Sequence, residues 1–600
     1  MVYAGGRFRS FGHSIKYHAP RRDATGFMVN GAQYTVEFLK KAGVRHAFGI
    51  PGHGNISIFD ALKDDDSIRT IPVKHEQWGG HMADGYFRAN GRVPAVVTTS
   101  VGPGSTNLTT PLATAYIDSS TMIALTGDIQ TYLFGMGIFQ EIDRKNYTGY
   151  VNGIGHFVKR AWQVTSTTQL PRVLPSALRT ALTGRPGPVL VDLPMDMQVE
   201  GVKAAVPDPK KFMPQGRLYP DPEVVSRAAK LLLGAKRPLI IAGGGVTMSG
   251  AGDALGAVAE ALGAPVVGSF RGESKGGFPS DHGLWGFHPG NVGSSVGNTL
   301  TRETDVLLAV GLTFSDETTS SYAPGVTFNI PPTKVVQIDI DPYEIGKNYP
   351  VEVGVVSDAK AGLEVLLSAL KGQRRKGASG PWLKKFKALK TEWEAEQKKE
   401  WTRTPMGIGN VVRNLREVLP RSSIISCSAG LPQEILSQQW ITYLPRTFLS
   451  SGGYSTMGFA LPAAIGAKLA QPKRDCVAVE GDGSFLMNSV ELFTAVEEKI
   501  PVVVVILNNY GWISIRNLQM KGLKKRVFGT EFREKVDFEK LVKAYGAEYW
   551  RAEKPEELRK AVRQAISSQA VAVVETIVDR RFPEGGASMY GTWDIPTPYN

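Results

Sequence analysis

Val477-Ala-Val-Glu-Gly-Asp-Gly483 runs an apolar strand into a Gly-Asp-Gly turn, and the reading of the whole chain turns on this stretch. A helical stretch, Ser484–Glu498, follows, then a second strand, Val502–Leu507, that ends in Asn508-Asn509. Strand, turn, helix, strand is the unit of a parallel α/β sheet, and open sheets of that kind hold ligands at the carboxyl ends of their strands. The spacing places the Asp482 carboxylate and the Asn509 amide oxygen at two such ends. Both are hard oxygen donors of the type Mg²⁺ takes, and Mg²⁺ shares its shell with phosphates and water. Gly481 and Gly483 let backbone approach a phosphate, and the helix opening at Ser484 offers N–H groups and a positive dipole end. The pattern is that of a Mg–diphosphate cradle. A lone Gly-Asp-Gly often only starts a helix; the downstream Asn pair is what separates the two readings.

Working outward, apolar strands alternate with amphipathic stretches in three long segments. That alternation predicts an α/β fold of three doubly wound, mostly parallel sheets. The first segment covers residues 26–200, with strands at Ala47–Ile50, Ala95–Thr99, Met122–Thr126 and Pro188–Leu193. The second covers 222–370, with strands at Pro238–Ala242, Pro265–Val267, Val306–Val310 and Lys334–Ile338. The third covers 405–580, with strands at Ser423–Ile425, Val477–Glu480, Val502–Leu507 and Val571–Glu575. Between them lie a Pro-rich linker, Val206–Asp221, and a charged stretch, Lys371–Thr402, that reads as a solvated connecting helix. Residues 1–25 form an N-terminal extension and 581–600 a Gly/Pro/aromatic-rich tail.

Composition bounds the rest. Six hundred residues exceed one core, and 42% hydrophobic with 21% charged residues is ordinary globular usage, which excludes disorder, collagen and coiled coil. No apolar run approaches the ~18 residues of a transmembrane helix, so no membrane partner is expected. Two cysteines, Cys427 and Cys476, make neither a disulfide framework nor a four-ligand zinc site, which favours a reducing, cytoplasmic setting. The net charge of +13 sits largely in short runs, Arg374–Lys376, Lys521–Arg526 and the acid-free first 22 residues. No nucleic-acid motif gathers it, so attraction of an anionic cofactor or substrate is the milder explanation.

Gly481–Asn488 together with Val504–Asn509 resembles the thiamine-diphosphate motif of the acetolactate synthase and pyruvate decarboxylase superfamily, and the resemblance runs from about Gly26 to the C-terminus. It implies a pyrimidine-binding domain, a central Rossmann-like domain and a diphosphate-binding domain, in the order of the three segments. It also implies thiamine diphosphate and Mg²⁺ as cofactors, with Asp482, Asn509 and the Gly511 carbonyl on the metal. Thiamine chemistry needs a carboxyl group on the far nitrogen of the aminopyrimidine so that the cofactor can form its C2 carbanion. Thr70-Ile-Pro-Val-Lys-His-Glu-Gln77 supplies Glu76 after a short apolar strand and before a helix, Gly79–Arg88. Alone, Glu76 reads as a surface carboxylate; beside the cradle, and within the family's His-Glu-Gln and Ala-Asp-Gly-Tyr pattern, it reads as the activating acid.

The same resemblance places Gly102-Pro-Gly-Ser-Thr-Asn107 along the active site, turns Gln140 of Phe139-Gln-Glu141 toward the cofactor, sets Lys159 near the substrate, and makes Met457 the bulky residue that props the cofactor in its bent form. Gln140 and Lys159 also read as a solvent-facing amide and a solvated charge. His53, in Pro51-Gly-His-Gly-Asn55, reads equally as an acid–base group above the thiazolium and as a histidine capping a loop. With Glu76, Asp482 and Asn509 all intact, a non-catalytic descendant of the fold is disfavoured.

The scaffold is similar to acetolactate synthase, while several substrate-facing segments are similar to the trihydroxycyclohexanedione hydrolase of inositol catabolism. These are Gly52-His-Gly-Asn55, Ser100-Val-Gly-Pro-Gly104, Ala429-Gly-Leu-Pro432, Tyr454–Gly458, Asn517-Leu-Gln-Met520 and Phe528–Arg533. Because pocket contacts set the choice of substrate, the leading expectation is hydrolytic C–C cleavage of a cyclic or linear 1,2-dione. The alternative is decarboxylation of a 2-oxo acid, pyruvate in acetolactate synthases, followed by carboligation. In the central segment Gly243-Gly-Gly-Val-Thr-Met-Ser-Gly250 lacks the dinucleotide spacing, and Glu317 stands where the family's FAD-binding Arg would be, which argues against FAD. The resemblance further implies a homodimer or homotetramer with the active site at a subunit interface.

Overall fold

The computed structural model describes residues 29–91, 93–142, 149–270, 275–373, 380–581, 591 and 594–598; the N-terminal extension, the Arg374–Lys376 run and most of the tail lie outside them. The described chain is built on three parallel sheets. The first holds β1 (His46–Gly49), β2 (Arg69–Pro72), β3 (Val96–Thr99), β4 (Ile123–Asp128), β5 (Arg160–Gln163) and β6 (Val189–Pro194) in the order β2-β1-β3-β4-β6-β5. The central sheet holds β7 (Pro238–Ala242), β8 (Val266–Gly268), β9 (Val306–Val310), β10 (Lys334–Asp339) and β11 (Val353–Val356) in the order β8-β7-β9-β10-β11. The third holds β12 (Ile424–Cys427), β13 (Phe448–Ser450), β14 (Cys476–Gly481), β15 (Val503–Asn508), β16 (Glu548–Ala552) and β17 (Ala572–Ile577) in the order β13-β12-β14-β15-β17-β16. Counted from its own first strand, the first and third sheets share the order 2-1-3-4-6-5. The central one follows the doubly wound order 2-1-3-4-5.

The central strands of each sheet are wholly buried, as in Val503–Asn508 and Val306–Val310, because helices cover both faces. A short antiparallel pair, Val29–Asn30 with Gly201–Val202, ties the two ends of the first domain together. Helices Glu76–Asn90 and Ala460–Ala470 each follow the second strand of their domain, and they pack on each other with backbone in contact. A Cβ on Gly85 would lie 2.3 Å from the Ala463 carbonyl oxygen, and one on Gly466 would lie 1.9 Å from that of Met82. Residues of both domains accordingly join in one hydrophobic core.

The charged segment before the third domain does form a helix, Pro381–Trp401, but it is not solvated all round. Trp382, Phe386 and Trp393 are buried against the central sheet, and Trp382 Nε1 donates to the Pro238 carbonyl at 3.0 Å. Its apolar residues fall on one stripe among the charges. The stretch read as one helix after Asp482 is two, Asp482–Asn488 and Glu491–Glu497. No described helix is long and apolar enough to cross a membrane.

Candidate active site

The strand ends of the third sheet form a buried cradle. Asp482 follows β14 and is 1% exposed, and its carboxylate accepts from the backbone N–H groups of Gly483 (2.8 Å), Asn509 (3.2 Å) and Gly511 (3.1 Å). Burial pushes its pKa up to about 6 even against those donors. Asn509, just past β15, is buried as well, and its Oδ1 has no hydrogen-bond partner. A buried acceptor with nothing to accept from costs free energy unless a cation or donor arrives. Arg580 holds the loop from behind, donating to the carbonyls of Asn509 (2.8 Å) and Tyr510 (3.1 Å). Glycine is required twice here. A Cβ on Gly483 would meet Trp512 Nε1 at 2.7 Å, and one on Gly511 the Thr530 carbonyl oxygen at 2.3 Å.

Beneath the cradle lies Glu480, which the sequence reading passed over. It is fully buried, its pKa is raised by burial, and it accepts from Ser428 Oγ (2.9 Å), Ser484 Oγ (2.9 Å) and Asn488 Nδ2 (3.1 Å). Ser484 Oγ in turn accepts the Gly458 N–H at 2.8 Å, which ties the Met457 loop to the turn that begins at Gly481. The signal was available: one acid inside the otherwise apolar run Cys476–Glu480 must be buried and satisfied. Met457 itself is half-buried.

The strand ends of the first sheet carry the second group. Glu76 starts helix Glu76–Asn90 and is half-exposed; its Oε2 accepts from Asn107 Nδ2 at 2.9 Å, leaving Oε1 beside Gly104. Gly102 has φ +67°, and a Cβ there would lie 2.5 Å from the Gln140 carbonyl oxygen, so this loop and the Gln140 loop touch backbone to backbone. Gln140, at φ +66°, is exposed. His53 is exposed on a short turn, His53–Asn55, its ring centroid 6.1 Å from that of Phe139. The structure thus brings Glu76, Gly102, Gln140 and His53 to one sheet edge.

Lys159 is elsewhere. It immediately precedes β5, at the amino end of the strands, and its Nζ donates to the carbonyls of Thr183 and Arg185, each at 2.8 Å. Burial lowers its pKa to about 8. Those bonds give it a loop-fastening role on the edge opposite Glu76.

The two groups share no hydrogen bond within one chain among the described residues. The domains are joined instead by Glu491, buried at the start of helix Glu491–Glu497, whose Oε1 accepts the N–H groups of Lys74 (3.0 Å) and His75 (3.1 Å) just before Glu76. Thr114 and Thr456 add a hydroxyl contact at 2.8 Å.

A cavity of about 980 Å³ opens at the carboxyl ends of β7, β9 and β10, with the linker residues Met213–Leu218 in its wall. Gly243 and Gly311 touch there, a Cβ on the former lying 2.0 Å from the latter's carbonyl oxygen, and Asp339, held up near pKa 6 by burial, is on the rim. Glu317 is not among the residues that line this cavity.

Family models of the thiamine pyrophosphate enzymes match all three domains: the N-terminal TPP binding domain over residues 29–147, the central domain over 225–366 and the C-terminal TPP binding domain over 428–576. The chain belongs to the thiamine pyrophosphate enzyme family. Among its relatives, the probable acetolactate synthase large subunit of Methanocaldococcus jannaschii is 37% identical over 570 residues, 92% of each chain. The acetolactate synthase large subunits of Corynebacterium glutamicum and Haemophilus influenzae are each 35% identical over 553 residues. These alignments cover 91% of this chain and 86% of the relative in the first case, and 90% and 92% in the second. The relatives favour the acetolactate synthase side of the resemblance; the hydrolase side rests on the pocket segments alone.

Proposed function

We propose that the chain decarboxylates a 2-oxo acid such as pyruvate and joins the remaining fragment to a second carbonyl compound, with thiamine diphosphate and Mg²⁺ bound. The observation that carries this is the whole-length likeness to acetolactate synthase large subunits combined with an intact Glu76, Asp482 and Asn509. The donor set fits the cofactor: Asp482, the orphaned Asn509 Oδ1 and the Gly511 carbonyl suit Mg²⁺, and the N–H groups from Ser484 onward suit a diphosphate.

When bound, thiamine diphosphate supplies a nucleophilic carbon and an electron sink for breaking the bond beside a carbonyl. Glu76 would turn its Oε1 to the far ring nitrogen of the pyrimidine, while Asn107 fixes Oε2. Met457 supports the cofactor from the side of the Ser484 turn. Gln140, on the loop against Gly102, would donate a hydrogen bond to the reacting carbonyl, His53 would move a proton there, and Lys159 steadies its own domain edge.

We further propose a homodimer or larger homo-oligomer in which another copy faces the open Glu76 edge. Leu486, Met487, Phe493 and Tyr454, on the segments beside the cradle, are exposed apolar side chains that a second copy would cover. Dilution below the dimer dissociation constant should lower specific activity and cofactor affinity together.

The test is product analysis with both cofactors added. CO₂ and a condensed hydroxy-ketoacid from pyruvate support the proposal; a ring-opened acid from a cyclic 1,2-dione, without CO₂ from pyruvate, would replace it with the hydrolytic reading. That second reading draws on Gly52-His-Gly-Asn55 and Asn517–Met520.

A further inference from the structure

A small cavity, about 20 Å³, lies where the three domains meet. Arg88 of the first domain, Thr247 and Lys275 of the central one, and Arg446 and Phe448 of the third form its wall. It has room for one water-sized occupant. Arg88 is matched by two carboxylates, those of Asp84 at 2.7 Å and Asp118 at 3.1 Å. Arg446 donates to the carbonyls of Arg88 (3.2 Å) and Thr247 (3.4 Å).

Lys275 is placed differently. It is 4% exposed, and no carboxylate pairs with it among the described residues. Its Nζ donates to the Ser437 carbonyl and stands 5.9 Å from the centre of the Phe448 ring, which steadies the charge only in part. Two further groups feel that charge, the Cys427 thiol and the His288 imidazole. Burial pushes the thiol up to about 12, and burial together with Lys275 holds the imidazole well below its ordinary value. Both are therefore neutral near pH 7 and cancel nothing. Burial brings Lys275 itself down to about 7. Thr247 adds a buried hydroxyl that has no hydrogen-bond partner.

An ammonium group shut away from water without a counter-charge is strongly destabilising. A water molecule in the cavity would accept from Nζ but bring no charge. Carboxylate and phosphate ligands are too large for the space. A halide ion fits it, accepts from both ammonium and hydroxyl, and cancels the charge.

We propose that this cavity binds a single small inorganic anion, chloride, held by Lys275 and Thr247 with Arg446 beside it. The ion would pin the three domains together at the far end of the helix that begins with Glu76. The site is independent of the reaction proposed above.

The test uses the full chain with thiamine diphosphate and magnesium gluconate added. Crystals grown in sodium bromide and measured at the bromine absorption edge should show an anomalous peak in the cavity, in contact with Lys275 Nζ. In solution, chloride or bromide in place of gluconate, which is too bulky to enter, should raise the wild-type Tm by about 2–4 °C at constant ionic strength. Lys275→Met keeps the length of the side chain and removes its charge. It should lose both the peak and the halide response while thiamine diphosphate affinity stays as in wild type. The wild-type peak is read without any variant: a cavity that holds water alone in bromide would overturn the proposal. So would a halide response that persists in Lys275→Met.

Discussion

The first and third domains have the same strand order, and helices at equivalent places in that order pack on each other, yet their ligand edges differ in kind. The third edge is closed. Asp482, Asn509 and Glu480 are buried, satisfied by neighbours or awaiting a cation, and the two acids have raised pKa values. The first edge is open. Glu76 is half-exposed, and His53 and Gln140 are exposed. One fold thus yields a buried ligand edge and an exposed one. The third edge is closed by the loop past β15, whose Asn509 and Gly511 N–H groups donate to Asp482, whereas the turns after β1 and β4 leave His53 and Tyr132 exposed.

The sharpest way to break this contrast is Glu76→Ala. If the open edge carries chemistry and the closed one carries binding, turnover should fall by about 10²–10⁴-fold while Mg–diphosphate affinity, read by cofactor titration, stays near wild type. A parallel loss of both would mean that the edges are not separable.

The hinge between the domains offers the next test. Glu491 has its pKa raised to about 7 from an ordinary 4.5, chiefly by burial. A raised carboxyl pKa means that ionisation is penalised in the folded state. Stability from this group is therefore greatest below about pH 4.5, falls as the pH rises toward 7, and carries a penalty of roughly 3 kcal/mol above it. Glu491→Gln cannot ionise, and it keeps an oxygen for the Lys74 and His75 N–H groups. Its Tm difference from wild type should shift in the variant's favour between pH 4.5 and 7 and then level off. A difference independent of pH would show that Glu491 is not the strained group.

Gly466→Ala probes the paired helices. With a Cβ 1.9 Å from the Met82 carbonyl oxygen, the helices must part, at a cost of about 1–3 kcal/mol seen in urea unfolding. An unchanged midpoint would mean that the domains are not locked through this crossing. The smallest effect belongs to Lys159→Met, where loss of two carbonyl bonds should cost about 1 kcal/mol of stability. Turnover should stay within about twofold, and a KM rise for an anionic substrate would return Lys159 to the site.

Legibility followed burial. β7, β9, β14 and β15 were readable because both faces are covered, so they appear as continuous apolar runs. β5, β11, β13 and β16 were not, and each is an edge strand of its sheet. Edge strands are short or carry charge, as Arg160–Gln163 and Glu548–Ala552 do, and so lack that pattern. The connecting helix was readable as a helix, but its role was not, since three buried aromatics among ten charged residues gain meaning only when a sheet lies beneath them.

Sequence alone determined the class of protein, because Gly481-Asp-Gly483 followed by Asn508-Asn509, and Glu76 after a short strand, are local patterns whose chemistry depends on residue type and spacing. Tertiary structure alone decided which groups meet. Glu491 reaches Lys74 from more than four hundred residues away, and Glu480 gathers Ser428, Ser484 and Asn488. Long-range contacts leave no periodic trace along a chain. What fixes them is the need to bury apolar faces and then to satisfy whatever polar groups are carried in with them.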